Sequence, residues 1–423
     1  MNIQPHYRYI SIILLVLGIF GVSSIALAAT TTKKATTQKV VTPAKKTATK
    51  TPVKTVAKTT TKVTTTPTTF LKAGWIPYWT KTAGGTETTE NLSKLDIISP
   101  FSYEVDSKGI LVDKLKIAEE PWPTLFAQAK EKKIKIYPTV AWFSRSQMEA
   151  ILNDKTARTS HIQSIKTNIL DNPSFDGVDI DYENKSAETK NGFSAFLKEL
   201  SVITKSKNKK LICTIEPRTP IESRVRVLTA QKIAESKLVS NDYVAINTYC
   251  DQVRLMTYDQ QDADIALHDT YDKLGTPYMP VADPKWVEKV IKETTKTIAP
   301  SKIMLGIPTF GYKWELTPDI EGRGYVYTKL RAINFREAYN NAKARGIDIE
   351  RNQAGELSYM YSAPESPSYA GAVGAPLHFV SFPDAESMID KIALAKKYKL
   401  GGITVFKFDG GADQSMWDVL NQK

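Results

Sequence analysis

The chain is poor in the residue types from which many enzymes build metal sites or nucleophiles. Its 423 residues include two cysteines and four histidines. The histidines lie far apart and show no spacing typical of metal ligands; they are His6, His161, His268 and His378. No G-x-S-x-G motif or Cys/His nucleophile arrangement rises above chance. The sequence therefore predicts no metal site and argues against a serine or cysteine hydrolase.

Cysteine is too scarce for a disulfide-rich scaffold. Cys213 and Cys250 lie in or beside the fifth and sixth of the strands predicted below. They could pair in an oxidising compartment, but a domain of this size does not need a disulfide to be stable. A disulfide and a pair of buried thiols are both compatible with the sequence.

Acidic residues are absent from Ala29–Thr69, which contains eighteen threonines and nine lysines. This segment has no hydrophobic periodicity, so it predicts a disordered linker. It is either a solvated spacer or a polycation that contacts an anionic cell envelope. The linker accounts for +9 of the net charge of +12 and Arg8 for +1, which leaves +2 for residues 70–423. The overall basic charge therefore does not indicate nucleic-acid binding.

A long apolar run is found only at the start of the chain. Residues 1–28 predict a signal peptide, with Arg8, the apolar run Ile10–Ile25 and an A-x-A motif at 26–28. An uncleaved anchor is the alternative, because Ile10–Ala29 could just cross a bilayer. Both interpretations predict a secreted or envelope-associated protein.

The most informative segment is Asp176–Glu183, which reads D-G-V-D-I-D-Y-E. In a strand, Asp179, Asp181 and Glu183 would share one face, and the apolar residues between them would face covering helices. Crowded, poorly solvated carboxyl groups raise one another's pKa, and an acid that stays protonated can cleave a glycosidic bond. A calcium loop would need a glycine where Asp181 stands. An ordinary solvated strand would carry mixed polar residues.

The segment resembles the D-G-x-D-x-D-x-E motif on the fourth barrel strand of glycoside hydrolase family 18. Three later segments are similar to the family's sixth, seventh and eighth strands: Gln252–Asp259, Lys302–Trp314 and Gly401–Asp409. The resemblance covers roughly residues 70–423. Ser99–Tyr103 and Phe382–Ser387 are most similar to the spore-lytic, peptidoglycan-directed branch of the family.

The resemblance and the alternation of strand-like and helical segments imply an α/β fold, a TIM (β/α)8 barrel formed by residues 70–423. Apolar residues at i, i+3, i+4 and i+7 predict a helix at Asn191–Lys205, and Asp384 is a candidate N-cap for a helix to Lys397. The segment between strands seven and eight is longer than a single helix and its loops need, which predicts a small α+β insertion at 311–380. The predicted strands are Ala73–Trp79, Ile97–Glu104, Lys135–Trp142, Gly177–Glu183, Leu211–Glu216, Val253–Tyr258, Lys302–Pro308 and Gly402–Phe408.

By resemblance, Glu183 protonates the leaving oxygen while the substrate's own 2-acetamido group attacks the anomeric carbon. Asp181 would hold the acetamido N–H, and Asp179 would share a proton with Asp181. Tyr258 would donate to the acetamido oxygen, and Asp259 would contact that group or the sugar. This mechanism implies neither a metal nor an organic cofactor.

Several side chains are candidates for substrate contacts, with Trp142 and Trp314 favoured. The full set is Tyr78, Tyr103, Trp142, Met256, Trp314 and Phe406. Phe406 stands where the family usually has tryptophan, and Tyr137–Trp142 departs from the family's S-x-G-G. Glu216 could contact substrate or pair with Arg218.

The sequence thus predicts a monomeric hydrolase of polysaccharides that contain N-acetylglucosamine, either peptidoglycan or chitin. A lectin-like barrel without catalysis is the alternative. Such relatives typically lack a glutamate at the position of Glu183, which this chain retains.

Overall fold

A computed structural model describes residues 69–272, 275–318, 324–363 and 376–421. The predicted signal peptide and all but the last residue of the predicted linker lie outside these ranges. Within them, no helix is both long and apolar enough to span a membrane.

The main sheet closes into a parallel barrel, because its first strand, Leu71–Pro77, pairs with both the second, Ile97–Val105, and the last, Gly402–Phe406. The barrel positions follow chain order around the ring. They are β1 Leu71–Pro77, β2 Ile97–Val105, β4 Lys135–Ile136 with β5 Thr139–Trp142, β6 Gly177–Tyr182, β7 Lys210–Ile215, β8 Gln252–Leu255, β9 Ile303–Pro308 and β15 Gly402–Phe406. The predicted TIM barrel is confirmed, with the third position divided into two short strands. A further strand, β3 Leu111–Asp113, pairs antiparallel with β2.

Helices cover the outside of the barrel. They are α1 Lys81–Glu90, α2 Trp122–Glu131, α3 Arg145–Asn153, α4 Lys155–Ile165, α5 Lys190–Ser206, α6 Ala230–Glu235, α7 Tyr243–Tyr249, α8 Ile265–Asp272, α9 Pro284–Thr294, α11 Ala385–Lys397 and α12 Gln414–Val419. Helix α5 extends the predicted Asn191–Lys205 by one residue at each end and buries Phe193, Phe196 and Leu200. Asp384 caps α11 as predicted, and Ser387 completes a capping box.

A second sheet lies between β9 and β15 in the chain. Its strands are β10 Phe310–Pro318, β11 Tyr325–Asn334, β12 Glu350–Arg351, β13 Leu357–Ser362 and β14 Leu377–Phe382, with α10 Phe335–Arg345 between β11 and β12. The order is β11-β10-β14-β13-β12, and the described pairings are antiparallel. The predicted α+β insertion is confirmed. Trp314, which lies beyond the end of the predicted seventh strand, is within β10.

The barrel has an apolar outer layer and a largely polar interior. Outward-facing residues such as Val178 and Ile180 pack under the helices and are completely buried. The interior contains Asp179 and Arg254, both also fully buried. The amino end of the interior is closed by a small apolar cluster that includes Tyr137 and Met304. Polar chemistry is therefore concentrated toward the carboxyl ends of the strands.

Cys213 of β7 and Cys250, which follows α7, form a disulfide. It joins residues 37 positions apart in sequence. The structure thus decides between the two states that the sequence left open.

Candidate active site

Strand β6 presents its acidic side chains to the barrel interior. Asp179 and Asp181 are 0% and 3% exposed. Glu183 follows the strand, and its backbone N–H donates a hydrogen bond of 2.9 Å to the carbonyl oxygen of Trp142. Because strand side chains alternate between faces, the three carboxyl groups form a column that rises toward the open end of the barrel.

Asp179, at the bottom of this column, accepts hydrogen bonds from four side chains. The donors are Trp75 Nε1 at 2.8 Å, Thr139 Oγ1 at 2.9 Å, Thr214 Oγ1 at 2.7 Å and Arg254 Nη1 at 3.1 Å. Arg254 also forms an ion pair with Asp179, and both side chains are fully buried. We expected Asp179 to share a proton with Asp181. All four partners serve Asp179 as donors. The shared proton stays a prediction.

Arg254 is a site residue that the sequence analysis missed. It lies on β8, and its Nη1 also donates to Ser99 Oγ at 2.7 Å. Strand alternation places it on the same face as Met256 and Tyr258. That alternation was available from sequence, whereas the pairing with Asp179 across the barrel was not.

Asp181, the middle carboxyl group, is enclosed and incompletely hydrogen-bonded. Burial raises its pKa well above the usual range, and the charges of Glu183 and Asp179 add to the effect. Within the described residues its Oδ1 atom has no hydrogen-bond partner. An unpartnered oxygen at this depth is available to a substrate group above it, such as an amide N–H.

Glu183 has the properties of a general acid. Burial, the charge of Glu216 and that of Asp259 raise its pKa to about 7, although Lys185 acts in the opposite direction. A carboxyl group with this pKa is substantially protonated near neutral pH and can donate its proton to a leaving oxygen.

Glu216, which we could not assign from sequence, clamps the loop that follows Glu183. Its Oε1 accepts from the backbone N–H of Asn184 at 3.0 Å, and its Oε2 accepts from the Asn241 amide at 2.7 Å. Burial raises its pKa, but Lys185 and the hydrogen bonds outweigh that effect and hold the pKa below its usual range. The pKa values of these two neighbouring carboxyl groups are shifted in opposite directions. Glu183 can therefore stay protonated and act as an acid, while Glu216 stays negatively charged.

An aromatic cluster lines the site on the side of β8, β9 and β15. Tyr258 stacks on Phe406, with ring centroids 5.3 Å apart and planes 15° from parallel. Burial raises the pKa of Tyr258 well above its usual range, so its hydroxyl remains a hydrogen-bond donor. Met256 and Trp314 belong to the same cluster. The structure thus brings together four of the predicted site residues.

Three predicted substrate contacts lie outside this cluster, and two of them are on the helix-facing side of the barrel. Trp142 pairs with Tyr182 on the outer face of the barrel, with ring centroids 5.4 Å apart, and is 2% exposed. Tyr103 follows a register shift in β2 that pairs it with Val140, so it also joins the helix-facing core. Both placements correct our prediction that these residues contact substrate. Tyr78 remains half-buried, and its hydroxyl donates to Glu104 at 2.5 Å.

The insertion sheet contributes residues that the sequence analysis did not single out. The Tyr312 hydroxyl donates to Oδ1 of Asp259, which has a left-handed backbone with φ of 58°. Lys329 of β11 lies over the Tyr312 ring, with its Nζ 4.1 Å from the ring centroid. Only the pairing of β10 with β11 brings Lys329 beside the barrel.

The sequence model described as glycosyl hydrolases family 18 matches residues 74–411. The chain belongs to this family. It is therefore a glycosidase, and its column of carboxyl groups lies at the end of the barrel where TIM-barrel enzymes carry their active sites.

Similar relatives include two proteins of Bacillus subtilis. The chain is 20% identical over 352 residues to the uncharacterized glycosylase YvbX of Bacillus subtilis, covering 81% of this chain and 89% of YvbX. It is 23% identical to the cortical fragment-lytic enzyme of Bacillus subtilis, covering 80% and 72%.

Solved structures share the fold. The spore cortex-lytic enzyme SleL of Bacillus megaterium matches with a TM-score of 0.63 and 22% identity, covering 83% of this chain and 73% of SleL. A chitinase from Chromobacterium violaceum matches with a TM-score of 0.64 and 18% identity, covering 84% and 98%. At these identities the likeness establishes the barrel and leaves substrate choice open.

Proposed function

We propose that this family 18 glycosidase cleaves β-1,4 bonds of N-acetylglucosamine-containing polymers, peptidoglycan or chitin, by substrate-assisted retaining catalysis. The observation that carries the proposal is Glu183, whose pKa is raised to about 7 at the open end of the column. In the same site, Asp181 supplies a buried acceptor oxygen. Tyr258 supplies a phenol hydroxyl that stays protonated and can donate a hydrogen bond. These are the groups that an acetamido-directed mechanism needs.

In this mechanism Glu183 donates its proton to the glycosidic oxygen as the bond to the anomeric carbon breaks. The acetamido carbonyl oxygen forms a new bond to that carbon, and positive charge develops on the resulting ring. Asp181 accepts a hydrogen bond from the acetamido N–H, and Tyr258 donates one to its oxygen before attack. Water then opens the ring and returns a proton to Glu183.

Asp179 and Arg254 act beneath this site as positioning residues. Their ion pair and the surrounding donors hold the floor of the barrel interior rigid under Asp181. Preorganised dipoles and charges in a dry site stabilise developing charge without reorganisation. The polar interior thus fixes the position of Asp181, which in turn orients the acetamido group of the substrate.

We also propose that the protein acts outside the cytoplasm. The signal-peptide pattern at 1–28 supports this, and so does the disulfide between Cys213 and Cys250, since such bonds persist mainly in oxidising compartments. The lysines of the predicted linker would add electrostatic contact with an anionic envelope.

Side-by-side digestion of purified chitin and purified peptidoglycan tests the substrate class. Release of new reducing ends from either polymer supports the hydrolase. Binding of oligosaccharides without turnover of either polymer would favour the alternative, a lectin-like barrel.

A further inference from the structure

A second cavity lies beside the candidate active site, at the same end of the barrel. It has a volume of about 360 Å³ and is lined by the loops that follow β6, β7 and β8. Lys185 and Glu216 line this cavity and also surround the acid, since Glu216 accepts the backbone N–H of Asn184. The cavity therefore begins two residues from Glu183.

The charge of its lining is positive. Lys185 Nζ lies 3.5 Å from Glu216 Oε2, so these two charges offset each other. Arg218 and Arg224 also line the cavity, and in the part of the chain that the structure describes neither lies within 4 Å of a carboxylate. Two cationic side chains thus lack an acidic partner there.

Arg218 is held in a fixed orientation. Its guanidinium carbon lies 4.1 Å from the centroid of the Tyr243 ring, and its Nη2 donates to the Asn241 carbonyl oxygen at 2.9 Å. Neither contact neutralises its charge. A guanidinium stacked in this way loses little entropy when it binds a carboxylate, which is its preferred planar partner.

The remaining wall includes apolar surface from Pro217, Leu238 and Trp286. Leu238 is 71% exposed and presents apolar surface at the cavity. A ligand with a carboxylate attached to a small aliphatic group would complement this lining, because the arginines can bind the carboxylate and the apolar residues can contact the aliphatic group. An uncharged sugar polymer has no group of this kind.

We propose that this cavity is a subsite for a carboxylate-bearing substituent of the sugar chain, bound by Arg218 and Arg224. The inference rests on the proposed function and narrows its substrate from any N-acetylglucosamine polymer to an acidic one. A 3-O-lactyl ether or a short peptide attached to it would supply the carboxylate. The enzyme should then favour such chains over neutral chito-oligosaccharides of equal length.

The test compares kcat/KM on three soluble oligosaccharides of equal length. One is neutral, one carries free 3-O-lactyl groups, and one carries lactyl groups capped as amides with alanine, which moves the carboxylate outward. Arg224→Gln should lower the ratio of kcat/KM on the better acidic substrate to kcat/KM on the neutral one by about ten-fold or more, as expected for a lost charge-assisted hydrogen bond. The preferred acidic substrate identifies the source of the carboxylate.

Arg226→Gln is the matched control, because Arg226 is a neighbouring exposed arginine whose Nη2 lies 2.7 Å from Asp269. It should leave the ratio unchanged. Arg218→Gln provides a second variant, with circular dichroism to check folding. An unchanged ratio in the Arg224 and Arg218 variants would overturn the subsite, as would a wild-type enzyme without preference for either acidic substrate. Failure of the wild type to cleave all three would instead refute the proposed function.

Discussion

Glu216 accepts a hydrogen bond of 3.0 Å from the backbone N–H of Asn184, the residue directly after Glu183. Asn184 adopts a left-handed conformation with φ of 63°, which asparagine tolerates better than most residues. One carboxylate thus fixes the backbone from which the acid projects, and its charge raises the pKa of that acid.

Glu216→Gln should therefore shift the pH dependence of hydrolysis. Removal of the negative charge lowers the pKa of Glu183, so the protonated acid is lost at a lower pH. We expect the alkaline limb of the kcat/KM profile to move down by about one pH unit, the low end of the effect of a nearby charge. Glu216→Asp keeps the charge and should retain the limb. A uniform loss of rate with an unmoved limb would mean that Glu216 is only structural.

Glu183→Gln should remove turnover while the protein still binds oligosaccharides. The amide has the shape of the acid but cannot supply the proton, and general acid catalysis contributes about 10²- to 10⁴-fold. Steady-state rates and calorimetric titration measure the two effects. Retention of more than roughly a tenth of wild-type kcat would exclude Glu183 as the acid.

Arg254→Met should destabilise the fold because it leaves Asp179 buried without its cationic partner. Loss of one member of a buried ion pair costs about 3–5 kcal/mol in the free energy of unfolding. Urea titration measures this, and Arg254→Met with Asp179→Asn should recover part of the loss. Lys135→Met is the control: its ion pair with Asp176 spans 2.9 Å but the lysine side chain is 56% exposed, so the change should be about 0–1 kcal/mol.

The first product should have the β configuration. The acetamido group attacks from one face, and water then enters from the face that the leaving group vacated. Proton NMR spectra recorded before mutarotation distinguish the anomers. Substrates with a free 2-amino group should not turn over, since an ammonium has no carbonyl to attack. An initial α signal would refute the substrate-assisted mechanism.

The predicted linker should matter for whole walls and not for small substrates. Deletion of residues 29–69 should leave hydrolysis of soluble oligosaccharides unchanged and weaken binding to cell walls. If lysine charge is responsible, wall binding should be nearly lost by ~0.5 M salt, where the screening length is only a few ångström. A variant with serine for all nine linker lysines tests the spacer interpretation, which requires unchanged binding at low salt.

Local patterns predicted much of the architecture. The apolar spacing of Phe193, Phe196 and Leu200 was sufficient to locate α5 within one residue at each end. Asp384 marked the start of α11, because a capping side chain bonds to amides only a few residues away. The order of acidic residues in Asp176–Glu183 likewise requires only the two-residue period of a strand.

Tertiary structure decided which of these residues meet. A register shift in β2 turned Tyr103 into the helix-facing core, and strand pairing set Trp142 beside Tyr182, neither of which is visible from residue type. Arg254 reaches Asp179 across 75 residues of sequence because the barrel closes. Sequence alone indicated the order of the carboxyl groups on β6, which depends only on local periodicity. The resemblance to a known family implied the class of fold and the proposed role of Glu183. The charge partners of Asp179 and Glu183 depend on long-range packing, which no local pattern records.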